Sequence, residues 1–212
     1  MTAPAPPGRQ APREDPAVVL AGPADAGVLA DVIAEAFYPL PPSRWLLPDA
    51  AVRRQIFPRY FRIFVHDALA RGRVYTTPGR TAAALWLPVR ADQAGPPPAY
   101  DVALAAATGA WVTRFRTFDT ALDQHHPAGT AHHHLALLAV RPGQQSQGTG
   151  SLLLAAHHAA LDRDRIPAYL EAASQRSRDL YRRHGYQPWP GAPFHLPGGG
   201  PPMWPMWRDP QP

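Results

Sequence analysis

The sequence predicts one α/β domain whose mixed sheet is flanked by helices. Three observations lead there. Residues 73–77 and 81–89 are apolar strands joined by Pro78-Gly79, the turn chemistry of an antiparallel hairpin. Residues 132–141 then form an apolar strand that passes through a Gly- and Gln-rich turn into a helix, and on to another apolar strand at 167–173. Strand, helix and strand in that order make a parallel crossover. The length, 212 residues, suits a single core.

The elements follow in order. Residues 1–16 contain five Pro and read as a disordered arm, because they bury too little apolar surface to offset their ordering entropy. The domain is expected to span 17–212. Residues 17–20 suit a first strand, ended by Gly22-Pro23. Asp25 then caps a helix whose Val28, Leu29, Val32, Ile33, Ala36 and Phe37 repeat at helical spacing. The four Pro of 38–48 predict a loop, and Asp49 an N-cap for a helix running to about Ala70. Along it, Ile56, Phe57, Tyr60, Phe61, Phe64, Val65 and Leu69 form an aromatic stripe that packs on the sheet, with part of it available to wall a pocket. Pro58 is expected to kink or split that helix. After the hairpin, an Ala-rich helix is expected over about 100–124.

Strand alternation over 132–141 puts His132 and His134 on one face and His133 on the other. The next helix presents Leu152, Leu153, Ala156, Ala159 and Ala160 on one side, which leaves His157 and His158 at a solvent or domain face with no chemistry assigned. The C-terminal Trp189, Phe194, Trp204 and Trp207 either line a pocket or belong to a rigid hairpin that completes the sheet.

Composition prunes the chemistry. There is no Cys, which excludes disulfides, thiolate metal sites and a Cys nucleophile. All 21 basic side chains are Arg, the formal charge is +5 and the sequence pI is about 10.1. The Arg residues are scattered, without the basic run that marks a nucleic-acid tail, so nucleic acid is not an expected partner. The longest apolar runs, such as 135–140, are far short of the roughly 18–20 residues of a membrane span. No apolar leader segment opens the chain, and a cytoplasmic protein is expected.

The chemistry-bearing segment is LALLAV-RPGQQSQGTG-SLLLAA. A strand, a small polar loop and a helix N-terminus make a phosphate-binding arrangement, because backbone N–H groups and the helix dipole both favour an anion there. A Walker loop is excluded by the absence of Lys, and the dinucleotide fingerprint G-x-G-x-x-G is missing. Val140, Pro142, Gln145, Gly148 and Gly150 instead resemble V-x-P-x-x-[QR]-x-x-G-x-[GA], the acetyl-CoA signature of the GCN5-related N-acetyltransferases (GNAT). LYRRHGY at 180–186 resembles that family's L-Y-x-x-x-G-[FY] segment. Within the family, Leu170-Glu171-Ala172, the Pro before it and the C-terminal GGGPPMWPMWR look closest to the puromycin-type antibiotic N-acetyltransferases.

The resemblance implies a GNAT-like mixed sheet whose two central parallel strands splay to admit acetyl-CoA as co-substrate. It implies that backbone groups of Leu138, Ala139 and Val140 pair with pantetheine, and that Gln145, Ser146, Gln147, Gly148, Thr149, Gly150 and Ser151 cradle the pyrophosphate, helped by an Arg such as Arg141. Tyr181 matches the position of a general acid for the departing thiolate. Only three Glu exist, and Glu171 lies in a predicted central strand, where a carboxylate is costly without a partner or a task. It is the candidate base, with His134 as the secondary one; an internal hydrogen-bonding role for Glu171 stays open. The cluster His125-His126 and His132-His133-His134 lacks the company and spacing of a metal site, so no metal is expected. The expected reaction is direct acetyl transfer to an amine of a small molecule, in a monomer or homodimer. A protein or peptide acetyltransferase and a non-catalytic acyl-CoA sensor are the alternatives.

Overall fold

The computed structural model describes residues 17–92 and 99–212; the expected arm over 1–16 lies outside them. The strands are β1 (Val19–Leu20), β2 (Arg73–Thr76), β3 (Ala82–Val89), β4 (His132–Val140), β5 (Ala168–Ala172), β6 (Gln187–Pro188), β7 (Phe194–His195) and β8 (Pro202–Arg208). They form one mixed sheet in the order β1-β2-β3-β4-β5-β8-β6, with β7 also on β8. Only β4 and β5 are parallel.

The helices are α1 (Ala26–Phe37), α2 (Pro41–Leu46), α3 (Ala50–Arg71), α4 (Tyr100–Thr108), α5 (Val112–Asp123), α6 (Thr149–Asp164) and α7 (Gln175–Arg183). The sheet divides two cores. Ala83 and Leu85 of β3 meet α1, α3 and α4 on one face, whereas Ala82, Ala84 and Trp86 meet α6 and the α7 region on the other. This period of two, apolar on both sides, is what a central strand covered by two helical layers requires.

Four expectations change. Residues 38–48 are not all loop, because Pro41 and Pro42 sit in the first turn of α2, where their missing N–H groups would have had no helical acceptor. Pro58 does not split α3: the helix is continuous, and the carbonyl of Arg54 that loses its donor belongs to an exposed residue that water can reach. Its start is fixed by Asp49, whose Oδ1 accepts from the N–H groups of Ala51 and Val52 at 2.7 and 2.9 Å. The helix expected over 100–124 is broken at Gly109, whose φ of +55° ends α4 and resets the axis for α5. His157 and His158 are buried, not solvent-facing. His157 packs on Trp86 and hydrogen-bonds His133 at 2.9 Å, and His158 lies 3.1 Å from the Tyr186 hydroxyl. Burial lowers both their pKa values to about 3, which keeps them neutral.

The C-terminal aromatic segment completes the sheet. β5 pairs along its whole length with β8, from Ala168↔Arg208 to Ala172↔Trp204, and Met203 alone of β8 is among the residues lining the central cavity. Arg208 anchors this strand to α6 through two bonds to Asp162, at 2.6 and 2.7 Å. No described helix is long and apolar enough to cross a membrane.

Candidate active site

β4 and β5 pair only at His133↔Ala168 and His134↔Tyr169. Beyond that point β5 stays with β8, β4 stays with β3, and the two strands part. The register of β4 on β3 slips there too: Leu135 faces Trp86 and Leu137 faces Leu85, so Ala136 is an extra residue in β4. A bulge bends its strand and increases its twist, and this one sits where β4 turns away from β5. The edge of β4 over Leu137, Leu138, Ala139 and Val140 is thereby left without a strand partner on the β5 side.

A cavity of about 600 Å³ fills the opening. Its floor is His134–Val140, one end is the loop after β4, and the other is walled by Phe57, Tyr60, Phe61 and Phe64 of α3 with Phe118, Asp119 and Leu122 of α5. The aromatic stripe of α3 therefore serves both as core and as cavity wall.

At the loop end, no backbone N–H from Gln145 to Ser151 has an acceptor among the described residues, and the first intrahelical bond is Leu152 N–H to the Gly148 carbonyl at 3.1 Å. Gly148 has φ +86° and nothing within 4 Å of where a Cβ would stand, so its backbone is open to an approaching group. These donors, at the start of a 16-residue helix, form an anion cradle. The residues present thus fit a pyrophosphate at 145–151 and an extended chain along β4. The Gln145 side-chain amide donates to the Val140 carbonyl at 3.1 Å and holds the loop on the strand, which leaves its backbone N–H to the loop.

Arg141 Nε lies 3.2 Å from Glu35 of α1, and Arg141 is not among the residues that line the cavity. Arg176 does line it, with Arg183, and donates to Ser146 Oγ at 2.7 Å and to Gln145 Oε1 at 3.4 Å, so it is the better placed of the two to meet an anion at the loop. Nothing in the spacing of Arg176 signals this, since α7 reaches the loop only through the fold. Ser174 caps α7 by accepting from the Ser177 N–H at 3.1 Å, which sets that approach.

In the middle, His134 Nε2 and Glu171 Oε2 are 2.9 Å apart, one on each side of the parting strands. The side chain of Glu171 is 8% exposed, and its other oxygen, Oε1, is buried without a partner among the described residues. Burial pushes the Glu171 carboxyl up, but the neighbouring His134 and then His126 outweigh it and hold the group below the usual carboxylate range. His126, named in the sequence only as part of the His cluster, donates from Nδ1 to the Pro127 carbonyl at 3.3 Å, so Nδ1 carries the proton. His126, His134 and Glu171 each bring one ligand-type atom within 4.8 Å of the others.

Tyr181, from α7, is buried and packs edge-on against Tyr186. Its hydroxyl makes no hydrogen bond among the described residues, and the side chain borders the cavity. Burial, and then the charge of Glu171, push the phenol pKa well above its ordinary value, so it keeps its proton. The structure therefore gathers Tyr181, Glu171, His134, the β4 backbone and the 145–151 loop around one cavity. His132 sits on the same face as His134 but packs on Tyr169 and Trp207.

Comparison with known proteins agrees with this geometry. The family model described as acetyltransferase (GNAT) domain matches residues 107–188. Among solved structures, a Corynebacterium glutamicum protein described as histone acetyltransferase HPA2 and related acetyltransferase is similar, with 24% identity, a TM-score of 0.69 and coverage of 93% of this chain and 98% of that one. Arylalkylamine N-acetyltransferase 2 from Aedes aegypti is similar at 9% identity and TM-score 0.61, covering 93% and 100%. The polyamine N-acetyltransferase of Drosophila melanogaster, which forms N-acetylagmatine, is similar at 17% identity and TM-score 0.54, covering 91% and 98%. A search of curated protein sequences found no match. The described chain has the GNAT acetyltransferase fold, with its open mixed sheet flanked by helices.

Proposed function

We propose that this protein is an acetyl-CoA-dependent N-acetyltransferase that moves the acetyl group directly to an amine of a small molecule. One observation carries the reading: a cavity in which an unpaired strand edge, a row of unpaired backbone donors, a carboxylate–imidazole pair and a protonated phenol all converge. Relatives of this fold that acetylate arylalkylamines and polyamines support a small amine as acceptor, and the resemblance to puromycin-type enzymes favours one with a partly apolar body.

Bound acetyl-CoA would supply an activated thioester acetyl group. The N–H groups of 145–151, with Arg176, would hold its pyrophosphate, and the β4 edge over Leu138–Val140 would align the pantetheine arm. A main-chain N–H near the bulge would donate to the thioester oxygen as that oxygen gains charge, an oxyanion-hole use of backbone. An amine arriving as ammonium must lose a proton before it attacks. Glu171 Oε1, directly or through water, would accept it, with His134 as its partner on the other oxygen. The Tyr181 hydroxyl would donate its proton to the sulfur that leaves. As the carbon–nitrogen bond forms and the carbon–sulfur bond breaks, the nitrogen gives up its second proton, which through water restores the Tyr181 phenol; the proton taken by Glu171 is the one released to solvent.

The test follows free thiol release from acetyl-CoA over a panel of amines. Turnover of small amines, abolished in Glu171→Gln, supports the reading. Binding of acetyl-CoA without turnover of any amine would favour a sensor, and turnover confined to peptides would favour a protein acetyltransferase.

A further inference from the structure

From the aromatic end of the cavity we infer that the acceptor is a diamine with an apolar spacer, whose second ammonium pairs with Asp119 while the first amine is acetylated beside Glu171 and His134. The inference rests on the acetyl-transfer reading above and names its substrate class.

Asp119 borders the cavity from α5. The Tyr100 hydroxyl donates to its Oδ2 at 2.9 Å, and its Oδ1 has no hydrogen-bond partner among the described residues. No basic side chain of the described residues pairs with it. The charges around it are Asp123 and Asp101, both of its own sign, while Asp101 has its own cation in Arg116 at 3.2 Å. Burial, the largest cause, therefore pushes the Asp119 carboxyl up to about 6. A half-buried carboxylate left this way is less stable than one in water until a cation meets it.

The walls are suited to an organic cation. Tyr60, Phe64 and Phe118 stand at this end of the cavity, with Tyr60 and Phe64 5.0 Å apart in an edge-to-face pair. Aromatic faces attract ammonium groups, most strongly where water is excluded. An anionic tail would be repelled here, and a hydroxyl-rich sugar amine would leave its hydroxyls without partners against Phe and Leu.

The cation at Asp119 is not the reacting amine. Asp119 accepts from Tyr100 of α4, whereas Glu171 pairs with His134 of β4, so the two carboxylates face one cavity from different elements. Phe61, Phe64 and Leu122 line the same cavity, so a spacer between the two charges is hydrocarbon or aryl.

The experiment compares α,ω-diamines of increasing spacer length with monoamines of matched length, using the full chain and its Asp119→Asn variant. For the wild type, a diamine should exceed its matched monoamine in kcat/KM by roughly tenfold or more, the scale of one desolvated cation–carboxylate and cation–π contact. Asp119→Asn should remove that preference by raising the diamine KM, with the monoamine KM and the acetyl-CoA KM unchanged. Equal use of both classes by the wild type, or an equal loss for both in the variant, overturns the inference while leaving acetyl transfer standing. Should the variant not fold, the wild-type preference read against pH decides: it should shrink on acidification through about pH 6, as Asp119 takes a proton, and a flat ratio overturns it. Absence of turnover with every amine contradicts the acetyl-transfer reading itself. Calorimetric binding of the diamine, tighter than that of the monoamine or not, then decides this one.

Discussion

At the scale of single residues, the site depends on pairs that burial makes asymmetric. Tyr181 keeps its proton because burial and the charge of Glu171 both oppose its loss, which is the condition a general acid needs. Tyr181→Phe should lower kcat by about 10²–10⁴-fold, the usual worth of a positioned acid, with the acetyl-CoA KM unchanged; steady-state kinetics at saturating acetyl-CoA measures it. That Tyr181, Glu171 and His134 share one cavity follows a local family motif for the first, the scarcity of Glu for the second and an imidazole of suitable pKa for the third. The places of Arg176, His126 and Asp119 at that cavity were not legible. Each acquires its place through a tertiary approach, α7 onto the loop, the turn after α5 onto β4, and α5 onto the cavity, and no spacing in the chain records that. Arg141 shows the converse: adjacent to the loop in sequence, it is taken up by Glu35.

At the scale of elements, the loop and the strand junctions can be tested separately. Gly148 at φ +86° opens the cradle, and a carboxylate there adds a strained conformer and a repelling charge. Gly148→Glu should therefore weaken acetyl-CoA binding at least tenfold by calorimetry, with the melting temperature changed by only a few degrees. Gly72 behaves oppositely: a Cβ there would stand 1.9 Å from the Trp86 carbonyl oxygen, so the α3–β2 turn closes only on Gly. Gly72→Ala should lower the melting temperature sharply, since backbone must shift to accept it.

The Asp162–Arg208 link joins α6 to β8, with the Arg208 side chain 5% exposed. Removing the carboxylate in Asp162→Ala would leave a buried guanidinium unpaired, at a cost of about 3–5 kcal/mol, readable by denaturant unfolding. The hydrogen bond from Arg208 lowers the Asp162 pKa. The stability from this link is thus fully present above the unfolded carboxylate value of about 3.9 and is lost as pH falls through the lower folded value. The helices and strands were readable where periodicity or caps mark them, as with Asp49. The break at Gly109 and the α2 turn over Pro41-Pro42 were not, because both residue types act there through position in the turn and not through composition.

At the scale of the whole molecule, one geometric fact organises the rest: β4 and β5 pair at two positions and then separate. The mixed sheet was legible from the hairpin and the crossover. The parting of the strands was legible only through family resemblance, since no residue of β4 or β5 signals where pairing stops; the extra residue Ala136 in β4 falls where it does. On the proposed function, a thioester would lie along β4 and an amine would enter past the aromatic wall, so that both reactants would occupy the cavity together. Initial rates measured with acetyl-CoA and a small amine varied against each other test that claim most directly. The account predicts double-reciprocal lines that intersect, with one CoA released for each acetylated amine; parallel lines, or acetyl-CoA consumption that does not depend on the amine, would contradict it.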